Sequence, residues 1–169
     1  MNNLMETKKE RYELLCQQVE SLAEGEANKV GVLANVSAAM KSVFPLEFFW
    51  VGFYLVNEEG GKSDASRSVL QLGPFQGTVA CYTIPFGRGV CGAAWAERRT
   101  IVVPDVEAFP GHIACSSLSR SEIVVPIFGA GGDVAGVIDI DSTELNTFDS
   151  TDAQYLEKIA KILSKLLHF

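Results

Sequence analysis

Long apolar runs are missing from this sequence. Nothing approaches the roughly 20 consecutive apolar residues that a membrane-spanning helix requires. The opening stretch, Met1 to Glu10, is polar and mixed in charge, without the apolar segment of a secretory signal. Neither a membrane protein nor a secreted one is expected, and the reading is cytoplasmic. Basic runs are missing as well. With a net charge of −7 and no cluster of Lys or Arg, the chain offers little to the phosphates of a nucleic acid. Histidine is scarce: there are two, one of them His168 beside the C-terminus. None of the intervals between the four cysteines has the C-x-x-C form of a zinc ribbon. No metal site and no cofactor is expected.

What is present is apolar content and redox-capable sulfur. The 169 residues are 47% hydrophobic, enough for one domain with a real core. In a reducing compartment Cys16, Cys81, Cys91 and Cys115 are not expected to be permanent structural disulfides, which leaves buried thiols or redox chemistry. Helical spacing links Tyr12, Leu15, Val19 and Leu22, and again Val30, Leu33, Val36 and Met40, with Pro45 as a stop. Glu47 to Val56 alternates as a strand covered on both faces. A polar loop from Asn57 to Ser66 turns at Gly60-Gly61. Strands are expected over 68–72, 78–84, 100–103, 123–128 and 134–141, with a loop from Gly73-Pro74 to Gly77. A short helix follows Gly87-Arg88-Gly89, and a long irregular segment runs from Val106 to Ser119. The last two strands read as a hairpin. Asp149 caps a final helix whose predicted stripe is Tyr155, Ile159, Ile162 and Leu166. This order indicates an α+β fold with its helices gathered on one face of an antiparallel sheet.

Several residues are candidates for chemistry. Cys115 lies in the long loop, where a thiol can be exposed and reactive, although a packed thiol is the commoner fate of a lone cysteine. Cys81 and Cys91 flank the Gly87-Arg88-Gly89 turn, so nucleophile, resolving thiol and reserve are all available. Cys16, on the first helix's stripe, reads as a packed thiol. Asp139 and Asp141 are two apart on a strand and share a face. With Glu122 they make an acidic trio. A solvated strand face is the alternative, but the strand looks central, and buried like charges raise one another's pKa until a proton is retained. Trp50 is either core or an aromatic wall for a thioether or methyl group. His112 is a base by residue type or a loop anchor. The Gly87-Arg88-Gly89 turn is either a plain turn or an anion site at a helix start.

Longer motifs add a resemblance. Leu72-Gly73-Pro74-Phe75-Gln76-Gly77, Ala80-Cys81, Ile84 to Gly92, Phe109 to Cys115, Ser121-Glu122-Ile123-Val124 and Gly136 to Ser142 stand in an order that resembles the free methionine-R-sulfoxide reductases, from about Val30 to the C-terminus. The resemblance implies a single GAF-type domain over 1–169, with the helix at about 7–24 as an extension and a core of about 26–167. It implies a central antiparallel sheet with helices on one face and a ligand pocket on the other. It implies that free methionine-R-sulfoxide is the substrate, with Cys115 as nucleophile, Cys81 as resolving thiol and Cys91 as auxiliary. Glu122, Asp139 and Asp141 become pocket carboxylates, with Asp141 the favoured proton donor, and Trp50 becomes the aromatic wall. The disulfide left behind would be reduced by a thioredoxin-type dithiol. Ser116 stands where that family commonly has an acidic residue, and Thr83 where a basic one is frequent. The apolar stripe of the first helix, taken as lying outside the core, suggests a homodimer. The rival readings are a ligand-sensing domain and a thiol switch. A switch would need the cysteines but not the carboxylates.

Overall fold

The computed structural model describes residues 6–57, 68–113 and 115–169. Helix α1 (Lys8–Ala23) starts at a capping box: the Thr7 hydroxyl accepts from the Glu10 N–H, and the Glu10 carboxylate accepts from the Thr7 N–H. Helix α2 (Lys29–Val43) is capped by Asn28, whose side chain accepts from the Gly31 N–H. The chain then enters a six-stranded sheet made of β1 (Trp50–Asn57), β2 (Val69–Gln76), β3 (Thr83–Pro85), β4 (Ile101–Val103), β5 (Ser121–Phe128) and β6 (Val134–Ser142). Helix α3 (Gly89–Glu97) falls between β3 and β4, and α4 (Ser150–Leu167) ends the chain. The spatial order is β3-β2-β1-β6-β5-β4, with every neighbouring pair antiparallel. Among the described residues, no helix is long and apolar enough to cross a membrane.

Strand alternation decides which chemistry faces which layer. Val51, Phe53, Ile123, Val125, Ile127, Ile138 and Ile140 point to one face and pack with α1, α2 and α4 into the main core. On the opposite face Trp50, Tyr54, Val124 and Val137 lie under α3, and there the carboxylates are found. This is the α+β arrangement expected from the sequence, with α1, α2 and α4 on one face and a pocket on the other, where α3 also packs.

Four details differ from expectation. The stripe of α1 (Tyr12, Leu15, Cys16, Val19, Ala23) is buried inside this chain against α2 and α4, so it is not a spare face for a homodimer. Cys16 is a packed thiol, as expected. The buried line of α4 is Leu156, Ile159, Ala160, Leu163 and Leu167, with Tyr155, Ile162 and Leu166 only partly covered, because α4 packs on both β5 and α1. Strand β2 does not stop before Gly73-Pro74. Between the pairs Gly52–Phe75 and Tyr54–Leu72 it carries an extra residue, a bulge that accommodates a proline lacking an N–H. Residues 78–82, expected as strand, are irregular, because the carbonyls of Thr78 and Cys81 accept from the side chains of Trp50 and Tyr54. The expected turn at Gly60-Gly61 lies outside the described residues.

Candidate active site

Register brings the site together. Asp141 of β6 pairs with Trp50 of β1 on one side and with Glu122 of β5 on the other. In the next row of the same face, Asp139 pairs with Gly52 and Val124. Three strands therefore place Trp50, Glu122, Asp139 and Asp141 on one patch, and the absent side chain at position 52 leaves room over it. A Cβ on Gly52 would stand 2.7 Å from the Trp50 ring and 2.4 Å from Cβ of Phe75. A Cβ on Gly77, where φ is +140°, would meet the same indole at 2.5 Å. The indole stacks on Phe75 at 5.2 Å and donates through Nε1 to the Thr78 carbonyl at 3.0 Å. The Trp50 body faces the pocket while its polar edge is satisfied.

Two loops close the space above. One carries Thr78 to Cys81; the other runs from Phe109 toward Ser119. They are joined by a Cys81–Cys115 disulfide with Cα atoms 5.6 Å apart. The Tyr54 hydroxyl donates to the Cys81 carbonyl at 3.0 Å, tying the first loop to the sheet. The cavity beneath is lined by Trp50, Tyr54, Cys91, Cys115, the three carboxylates and loop residues including His112 and Ser119. Cys81 itself sits at the rim, through its bond to Cys115. Cys91, on α3, is reduced and buried beside Asp139, to which it is hydrogen-bonded.

The electrostatics are those of acids removed from water. Burial, together with the Asp141 charge, pushes the Glu122 carboxyl well above the usual carboxylate range. Burial and the neighbouring Glu122 do the same to Asp139. Asp141 is pushed up to about 6, chiefly by burial, against the downward pull of a hydrogen bond from Ser119 and of His112. Burial raises the Cys91 thiol well above its ordinary value, and the carboxylates add to the effect. Glu122 and Asp139 share a hydrogen bond, and His112 Nε2 lies 3.5 Å from a Glu122 oxygen. Asp139 Oδ1 is buried with no hydrogen-bond partner among the described residues. A buried acceptor left open in this way is costly in an empty pocket and useful when a ligand supplies a donor.

All the candidates named from the sequence therefore meet in one place: Cys81, Cys91, Cys115, Trp50, Glu122, Asp139 and Asp141. His112 stands over Glu122. The Gly87-Arg88-Gly89 turn sits at the pocket edge, where close packing dominates: a Cβ on Gly92 would be 2.5 Å from the Pro85 carbonyl. Sequence reasoning passed over Tyr54 and Ser119. The alternation that places Tyr54 on the same face as Trp50 was a signal for the first; no local pattern announces Ser119.

Comparison with known proteins agrees with this geometry. Residues 28–168 match the GAF domain family. GAF domain-containing protein A of Dictyostelium discoideum is 54% identical over 93% of this chain and 92% of its own length. The free methionine-R-sulfoxide reductase of Saccharomyces cerevisiae is 44% identical over 94% of this chain and 86% of its own. The free methionine-R-sulfoxide reductase of Neisseria meningitidis, solved in complex with its substrate, superposes with a TM-score of 0.87 at 51% identity, covering 96% of this chain and 91% of that one. A sheet with helices on one face, a roofed acidic pocket on the other and this degree of identity lead to one assignment: the chain belongs to the GAF domain family and, within it, to the free methionine-R-sulfoxide reductases.

Proposed function

We propose that this protein reduces free methionine-R-sulfoxide to methionine, with Cys115 as the nucleophile. The observation that carries the reading is the Cys81–Cys115 disulfide lying over a pocket of buried carboxylates. The Cys115 thiolate attacks the sulfoxide sulfur. Oxygen passes to Cys115 as a sulfenic acid and methionine leaves. The Cys81 thiol attacks that sulfur, the S–O bond breaks, and water departs as the disulfide forms. In sum, sulfoxide and two thiols become thioether, disulfide and water. A carboxyl hydrogen-bonding the sulfoxide oxygen stabilises the negative charge that grows there, and Asp141, next to Trp50 in the register, is assigned this part. Glu122 and Asp139 accept from the substrate ammonium, for which the open Asp139 Oδ1 is a ready partner. A peptide-bound residue has no ammonium to offer, which accounts for a preference for the free amino acid. Trp50 packs against the methyl group. Cys91 is buried on α3 beside Asp139 and Glu122 and serves as an auxiliary thiol.

The disulfide returns to thiols by exchange with an external dithiol protein of the thioredoxin kind, in a reducing cytoplasm. The test is a single turnover of reduced protein with free methionine-R-sulfoxide, its S epimer and an R-sulfoxide peptide. Methionine is expected from the free R epimer alone and is lost in Cys115→Ser. No methionine from any of the three, with the thiols confirmed reduced, would overturn the assignment in favour of a ligand-sensing domain.

A further inference from the structure

Dispersed cysteines and histidines give no reason, along the chain, to expect a metal. Folding changes that locally. Cys91 from α3, Glu122 from β5 and Asp139 from β6 each offer one ligand atom; these lie within 4.8 Å of one another, and all three residues are buried. We propose that Cys91, Glu122 and Asp139 form a binding site for zinc, and that zinc bound there excludes the substrate.

Four observations support this. First, the geometry is near what zinc requires. Ligand atoms at about 2.0–2.3 Å from a tetrahedral ion stand roughly 3.3–3.8 Å apart, so side-chain adjustments of about 1 Å close the set. Second, Asp139 Oδ1 is buried and unpartnered among the described residues, so one acceptor needs no bond broken to receive a cation. Third, His112 Nε2 is 3.5 Å from a Glu122 oxygen, which puts a fourth donor at the edge of the set. Fourth, the three ligands line the same cavity as Thr78, Val79, Ala80, His112, Cys115 and Ser116, so an ion held by them would share the pocket with a substrate. One thiolate beside two carboxylates favours a borderline-soft ion such as zinc over magnesium or calcium, which prefer all-oxygen sites. Zinc also replaces the like-charge crowding of the trio with attraction.

Metal binding itself does not depend on the reductase reading. Competition with methionine sulfoxide does, because it assumes that the substrate ammonium uses Glu122 and Asp139.

The site is tested on the oxidised protein. With Cys81 and Cys115 locked in their disulfide, neither can supply a thiolate. Calorimetric titration with zinc should give one equivalent bound. Titration with cobalt as a spectroscopic stand-in should give a near-ultraviolet thiolate-to-metal band. Cys91→Ala should remove the band and weaken zinc at least tenfold. Asp139→Asn should weaken zinc while keeping the band, which guards against a single variant that misfolds. Cys16→Ser, in the helix core, should change neither. Equal binding by wild type and Cys91→Ala, or cobalt uptake without a thiolate band, would overturn the site. Free methionine-R-sulfoxide should raise the apparent Kd for zinc in proportion to its concentration. Zinc that binds with the expected signature yet is indifferent to the sulfoxide would overturn the exclusion, while the first-turnover assay judges the reductase reading separately.

Discussion

This molecule buries acids in two ways. In the helix layer Asp152, 1% exposed, is fully engaged. The Tyr12 hydroxyl donates to one oxygen at 2.7 Å, while Lys8 Nζ at 2.6 Å and the Asp149 N–H at 2.8 Å share the other. This carboxylate closes the capping box that Asp149 opens at the start of α4, and it fastens α1 to that helix. On the opposite face of the sheet Glu122 and Asp139 are nearly as buried, at 5% and 7%, yet they bond mainly to each other and to a thiol, and one oxygen has no partner among the described residues. The first arrangement joins elements of the fold. The second holds acceptors open for a ligand at a cost in stability.

Substitution should separate the two. The largest effect is expected from Glu122→Gln and Asp139→Asn, each lowering kcat/KM for free methionine-R-sulfoxide roughly 100-fold through a lost charge-assisted bond. The denaturation midpoint should hold or rise in both, because like-charge crowding is relieved. A fall in stability with activity intact would break the contrast. Asp152→Ala should do the reverse, removing about 2 kcal/mol of stability in urea titration through the lost cap and the stranded Tyr12 hydroxyl, with turnover per folded molecule unchanged. Gly52→Ala crowds the Trp50 ring and should cost about 1–3 kcal/mol of packing, visible as an altered tryptophan emission together with weakened substrate binding. Tyr54→Phe frees the Cys81 loop. It should slow disulfide closure about fivefold after an unchanged methionine burst, in keeping with one neutral hydrogen bond.

The smallest effect is one of pH. Burial works to raise the Asp149 carboxyl, but the bonds from Lys8 and the Thr151 N–H outweigh it and hold it down at about 2. A depressed acid contributes stability above its unfolded pKa, near 4, and loses it as pH falls toward 2. With its side chain 57% exposed, this amounts to only about 0.5 kcal/mol, and Asp149→Asn, which keeps a capping acceptor and leaves the Lys8–Asp152 pair in place, should flatten the acid limb of the stability curve by that amount.

Much of this contrast was legible before the fold was known. Asp139 and Asp141 are two apart on a strand, so their common face follows from the pleat alone, and Asp149 stands where a helix start needs an acceptor. The burial of that face was harder to read, because it depends on α3 and on two loops arriving from elsewhere. On α4 Ile159 is buried as expected, while the other three stripe positions fall one residue off. Tyr155, Ile162 and Leu166 form as good a helical line as Leu156, Leu163 and Leu167, and only the presence of both β5 and α1 decides between them. Residues 78–82 look like strand, yet their carbonyls are taken by Trp50 and Tyr54, side chains 28 and 27 residues away. The bond from Ser119 to Asp141 likewise joins segments that no local pattern relates.

The Cys81–Cys115 bond closes a ring across a separation of 34 residues, with all of α3 inside it. If each turnover makes and opens that ring, the chain alternates between a linear and a looped topology. Loop closure restricts the unfolded chain by about 4 kcal/mol for a ring of this size, an upper figure where native strain offsets it. The oxidised half of the cycle is then the half in which unfolding is rarest. The protein's lifetime against proteases would therefore follow how often it is found oxidised, making its abundance respond to the same stress that generates its substrate.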